Sequence, residues 1–276
     1  MGNLAADTAV TEVGEGRYTA RLSPDWEIWG PMGGYVAATA LRAAGAASPF
    51  DRPASFSCHY LGVAAFDEVQ LTVEPVRVGR GAASHRVRMA QGDRAVLEAL
   101  VWSIPETEGL DHEAPTAPDV PGPEGLPSPA DLVGEDAPPP FPFWLNFDSR
   151  PLSWIADWPP TGPIDPIWQG WMRFAAWAGD ADPWLEAARL VLLCDLPSWP
   201  SGSRPHAWQE PPFVAPTLDL QVSLVQLVPA EQWLLLEGTT PVGADGLLPF
   251  TSRIWAADGR LVANGGGQTL CRRLPG

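Results

Sequence analysis

Residues 31–47 read PMGGYVAATALRAAGAA, and this stretch decides the fold. Its residues are small or apolar nearly all round, with good helix formers throughout, so it predicts a buried helix rather than a surface one. Pro31 at its start and Pro49 beyond its end suit those boundaries. A second stretch of the same kind, PWLEAARLVLL at 183–193, has Asp182 as N-cap and Pro183 in the first turn.

Strand patterns surround both helices. Before the first, Thr8–Glu12 and Arg17–Leu22 alternate about Gly14-Glu15-Gly16, a hairpin signal. After it come Ala54–Gly62, Glu68–Val78, Ala83–Ala90 and Arg94–Ile104, the last two flanking the turn Gln91-Gly92-Asp93. The second half repeats the order. Phe143–Asp148 and Ile167–Ala175 precede its helix; Thr217–Leu227, Gln232–Thr239, Leu248–Ala256 and Arg260–Cys271 follow it. Helix starts lie 152 positions apart and the last hairpin glycines, Gly92 and Gly259, 167 apart, so the whole unit is duplicated. Between Ile104 and Phe141 prolines and acids dominate, and no Arg occurs between Arg94 and Arg150. That composition predicts an extended, solvated linker. The expected organisation is therefore 1–105 as a first unit, 106–140 as linker and 141–276 as a second unit.

One helix on a long antiparallel sheet is α+β segregation. Two such units hiding their open faces or edges against each other describe a double hot-dog.

The composition excludes several chemistries. All 17 basic residues are Arg, which removes Schiff-base lysines and any P-loop. A net charge of −16 opposes nucleic-acid binding and demands a local Arg patch for a polyanion such as coenzyme A. Three scattered cysteines and four histidines without metal spacing predict no disulfide framework, no metal and no cofactor. A start without basic or apolar leader regions, and apolar runs far short of about 18 residues, predict a cytoplasmic protein with no membrane span. No GxSxG elbow occurs, and Gly79–Ser84, GRGAAS, joins two strands rather than opening a helix. Nine of 14 tryptophans fall between Trp144 and Trp208; they either pack beneath Pro-rich loops or wall an acyl tunnel.

The segments TLDLQVSL (217–224), EQWLLLEGTT (231–240) and DGRLVANGGGQTLCRR (258–273) resemble the acyl-CoA thioesterase II family, as do GPMGGYVAATALRAA (30–44) and SFSCHYL (55–61). The resemblance spans nearly the whole chain outside the linker and the Trp-rich stretch, and implies a double hot-dog hydrolase of acyl-CoA or a related thioester. It also implies that an Asp, a hydroxyl and a Gln hold the hydrolytic water. These fall on Asp219, on Thr240 or Thr239, and on Gln268, which carries one extra residue before it. Where the family often has His after the Asp, this chain has Leu220.

The residues themselves agree in kind. Asp219 sits in an apolar strand, where a carboxylate needs partners, and three glycines before Gln268 signal a bulge or close approach. Gly33 and Gly34 offer backbone N–H groups to a developing oxyanion, each such donor worth about 3–4 kcal/mol; the alternative is close helix–sheet packing. A non-catalytic acyl or thioester binder is the competing function. Hydration or dehydration of an acyl thioester would require His59 beside a carboxylate. Pairing of two chains into a homo-oligomer would be ordinary.

Overall fold

In the computed structural model, residues 1–134, 139–157, 160–179, 182–209 and 213–273 are described. The first half comprises α1 (Leu4–Asp7), β1 (Thr11–Gly14), β2 (Arg17–Arg21), α2 (Gly33–Ala47), β3 (Arg52–Tyr60), β4 (Glu68–Val78), β5 (Ala83–Gln91) and β6 (Arg94–Ile104). After α3 (Pro129–Val133) come β7 (Phe147–Pro151), β8 (Ile167–Phe174), α4 (Pro183–Asp195), α5 (Ser198–Ser203), β9 (Phe213–Val214), β10 (Thr217–Leu224), β11 (Leu234–Thr239), β12 (Leu247–Ala256), β13 (Leu261–Leu270) and β14 (Arg272–Arg273).

Twelve strands form one antiparallel sheet in the order β1-β2-β4-β5-β6-β3-β10-β13-β12-β11-β8-β7. The halves therefore do more than hide edges against each other: β3 and β10 pair directly, from Ser55 opposite Ser223 to His59 opposite Asp219. Alternation sets the inner face. Leu220, Val222 and Leu224 are buried while Gln221 and Ser223 are exposed, and Phe56 and Cys58 continue that buried row on β3. Across the inner face lie α2 and α4, each buried on nearly every side, as the all-round apolar patterns predict.

The two helices touch. A Cβ on Gly34 would stand 2.6 Å from the Leu192 carbonyl oxygen, and one on Gly45 2.5 Å from the Trp184 ring. Gly34 thus serves helix–helix approach, not the helix–sheet packing weighed from sequence.

Other expectations need revision. Thr8 ends α1, accepting no strand role, and the first strand begins at Thr11. Pro142–Asn146 is a 3-10 turn that inserts Phe143 into the core, with the strand starting only at Phe147. The linker is not free in solvent. It crosses the outer face of the second half, where Ala117, Val120 and Leu126 pack against Trp171, Leu235, Trp255 and Leu261. The Trp171 indole N–H donates to the Pro121 carbonyl at 2.8 Å, and the Leu261 N–H to Glu113 at 2.7 Å. Apolar anchors at three points of an acidic, Pro-rich segment suffice to strap it down.

The tryptophans divide between the packing and surface roles. Trp144, Trp168, Trp177 and Trp184 pack on the inner core, Trp171 lies under the linker, and Trp154 is exposed. Trp158 and the side chain of Trp208 lie outside the described residues. Among the described residues, no helix is long and apolar enough to cross a membrane.

Candidate active site

The level of the sheet where β3 and β10 meet the start of α2 collects polar groups from four elements. β10 carries a bulge here: Thr217 stands opposite Thr269, yet Asp219 already stands opposite Gln268. Such an extra residue breaks the alternation and re-aims side chains. Thr217 turns inward and donates its hydroxyl to Asp195 Oδ1 at 2.9 Å. Asp219 is half-buried between its cross-strand neighbours His59 and Gln268, both exposed. A Cβ on Gly267 would lie 1.9 Å from the Asp219 carbonyl oxygen and 3.2 Å from its Oδ1. The glycines before Gln268 therefore permit close approach, here of neighbouring backbones. Gly266 has φ +156°, and a Cβ there would meet the Phe250 carbonyl at 2.2 Å.

Asp219 and Gln268 are thus brought together as register partners. Thr240 is not brought to them: it is 4% exposed beyond the end of β11 and shares a 2.8 Å hydrogen bond with the Ser201 hydroxyl of α5. Two strand spacings, about 10 Å, separate that strand from Gln268's. Thr239 points to the other side, its hydroxyl on Thr251 at 2.8 Å.

At the α2 start, the helix has no side-chain cap of its own from Met32. Its Gly34 backbone lies instead against Asp195, the last residue of α4, and its N–H favours that carboxylate's charged form. Gly33 faces the same carboxylate, a Cβ there falling 2.9 Å from Asp195 Oδ2 and 3.5 Å from the Tyr60 hydroxyl. That hydroxyl is buried and has no oxygen or nitrogen partner among the described residues; the Cys58 thiol is its polar neighbour. Burial pushes the Tyr60 phenol and the Cys58 thiol well above their ordinary ranges, and the charges of Asp195 and Asp219 add to both shifts. A thiol held neutral in this way is a poor nucleophile.

Asp195 escaped the sequence reading, which ended this helix at Leu193. The available cue was an acid at a helix C-terminus, where the macrodipole disfavours it. Burial raises its pKa to about 6, against the opposing effects of the Thr217 and Gly34 hydrogen bonds. An acid whose pKa is higher in the folded state favours folding in its protonated form. Stability is therefore expected to fall as pH rises from 3.8 through about 6, by roughly 3 kcal/mol from this group. Asp195→Asn removes that loss, and urea midpoints taken between pH 4 and 8 should show the flatter profile.

The comparisons with known proteins agree with one another. The profile described as acyl-CoA thioesterase C-terminal domain matches residues 115–266, and that described as acyl-CoA thioesterase N-terminal domain matches residues 22–104. Among curated proteins, none matches significantly. Among solved structures, an acyl-CoA thioesterase II, TesB2, from Mycobacterium marinum is 20% identical with a TM-score of 0.81, over 99% of each chain. A hot dog fold protein from Alicyclobacillus acidocaldarius is 21% identical, TM-score 0.81, over 99% of this chain and 98% of that one. The tesB protein of Mycobacterium avium subs paratuberculosis is 19% identical, TM-score 0.77, over 98% of both. At these identities the structures establish the fold, the double hot-dog expected from the repeat.

Proposed function

Because the chain belongs to the acyl-CoA thioesterase family, a family of thioester hydrolases, we propose that it hydrolyses acyl-CoA with a water held by Asp219 and Gln268. The observation that carries this reading is the register pairing of Asp219 with Gln268 at the β10 bulge.

In the reaction the water oxygen forms the new bond to the carbonyl carbon, and Asp219 takes the proton released. The carbon–sulfur bond then breaks, and the sulfur leaves with that proton as a thiol. Gln268 supplies an amide to orient the water. Thr240, two strands from Gln268 and bonded to Ser201, has no part in holding that water. We assign the carrier's phosphates to Arg272 and Arg273, exposed on β14 just beyond Gln268, which answer the need for a local cationic patch in an acidic chain.

The test is hydrolysis across an acyl-CoA chain-length series, followed by free thiol. The expected result is turnover with a preferred length, reduced in Gln268→Ala and little changed in Thr240→Val. Saturable acyl-CoA binding with no turnover at any length would replace this reading with a non-catalytic binding protein.

A further inference from the structure

The amide end of α2 would receive the thioester carbonyl oxygen, but a carboxylate stands on it. An ionised Asp195 there repels a developing oxyanion, whereas a protonated one donates to it. Three independent features meet at this point. Asp195 is 4% exposed, holds the Thr217 hydroxyl and packs on the Gly33–Gly34 backbone. Among the described residues the buried Tyr60 hydroxyl has no oxygen or nitrogen acceptor, and such an unmet donor is costly unless something outside the chain satisfies it. Gly33 lacks the Cβ that would press on Asp195 Oδ2 at 2.9 Å and stand 3.5 Å from the Tyr60 hydroxyl, so the backbone there approaches both groups.

We propose that Asp195, as the neutral carboxylic acid, and Tyr60 are the side-chain donors that hold the thioester carbonyl oxygen at the start of α2. This deepens, and rests on, the reading of the chain as a thioester hydrolase. In that reaction Asp195 keeps its own proton and hydrogen-bonds the oxyanion. A neutral acid paired with a phenol is a known way to build an oxyanion hole. Oδ1 is the oxygen that Thr217 occupies, which leaves Oδ2, the one beside Gly33, to carry the proton.

The surroundings keep the acid neutral. Facing it are Cys58 and Tyr60 from β3, Thr217 from β10, and the Gly33–Gly34 turn from α2, with the Asp219 charge acting on Cys58 and Tyr60 from β10. Cys194 adjoins it on its own helix, with Ser252 from β12 beyond. No cation is among these groups, and the charge closest in role, Asp219, is negative. The raised pKa of about 6 follows from this burial.

The experiment measures kcat and kcat/KM for the best acyl-CoA of the series from pH 5 to 9 in wild type, Asp195→Asn, Asp195→Ala and Tyr60→Phe. Asparagine retains an N–H donor and cannot titrate. The expected result is that Asp195→Asn keeps kcat within about tenfold and loses the alkaline decline of kcat/KM that wild type shows above about 6. Asp195→Ala and Tyr60→Phe each lose about 10²-fold or more in kcat, with KM little changed. Asp195→Asn as inactive as Asp195→Ala, with wild type active, overturns this proposal alone, because Asp195 then works as a carboxylate. If Asp195→Ala does not fold, Tyr60→Phe decides: it keeps the ring, and an unchanged kcat overturns the donor assignment. Wild type without turnover on any acyl-CoA overturns the hydrolase reading and this assignment together.

Discussion

Asp219→Asn is expected to lower kcat for acyl-CoA hydrolysis by about 10²–10⁴-fold, the range for loss of a positioned general base. The substitution keeps size and shape but removes the group that accepts the water's proton. Because Asp219 is half-buried and has Gly267 against it, an isosteric amide fits without new contacts, so circular dichroism and the urea midpoint should hardly change. KM should also hold, since the binding groups at the start of α2 are untouched. A rate within twofold of wild type would remove Asp219 as the base. It would leave His59, the exposed neighbour opposite it on β3, as the next residue to replace.

The largest stability effect is expected at Arg189→Ala, a loss of about 3–5 kcal/mol. Arg189 and Glu186 are both 0% exposed, and Nη2 donates to Glu186 Oε1 at 2.7 Å. The guanidinium also reaches the carbonyls of Glu231 at 2.7 Å and Val228 at 3.1 Å, and its carbon lies 4.3 Å from the centroid of the Trp177 ring. Through these contacts α4 holds the turn between β10 and β11. Truncating the arginine leaves Glu186 charged, buried and unpaired, which is where most of the cost arises. Glu186 Oε2 and Arg189 Nε already lack partners, so the pair is not fully satisfied even in the native state. Replacing both residues together, Glu186→Leu with Arg189→Met, should therefore be near neutral. Urea unfolding of the single and double variants distinguishes the two cases; a double variant as unstable as the single one would contradict this account.

Those two residues also show where sequence reading stops. The apolar run PWLEAARLVLL identified a buried helix correctly, but a Glu and an Arg three positions apart look like a solvated face. The arginine's other partners are carbonyls 39 and 42 positions away, and no local pattern encodes that. The same limit governed the site. Asp219 and Gln268 stood out because each breaks a strand pattern, an acid among apolar residues and a Gln after three glycines. Asp195 and Tyr60 break no pattern of period two, and only the packing of α4 on α2 reveals that one carboxylate caps the other helix. The repeat was legible because both halves keep helix and hairpin turns in one order. The fate of residues 106–134 was not, since three anchoring side chains weigh little against a composition dominated by proline and acid.

The seam between β3 and β10 has a consequence in time. Ser55–His59 have β6 on one side almost as soon as they are made, but the strand that covers the other side begins about 160 residues later. At elongation rates of about 5–20 residues per second, that edge stays bare for roughly 10–30 s on every ribosome. Ser55, Ser57 and His59, hydrophilic and half-buried or exposed in the finished sheet, make the waiting strand a poor template for association with another nascent chain.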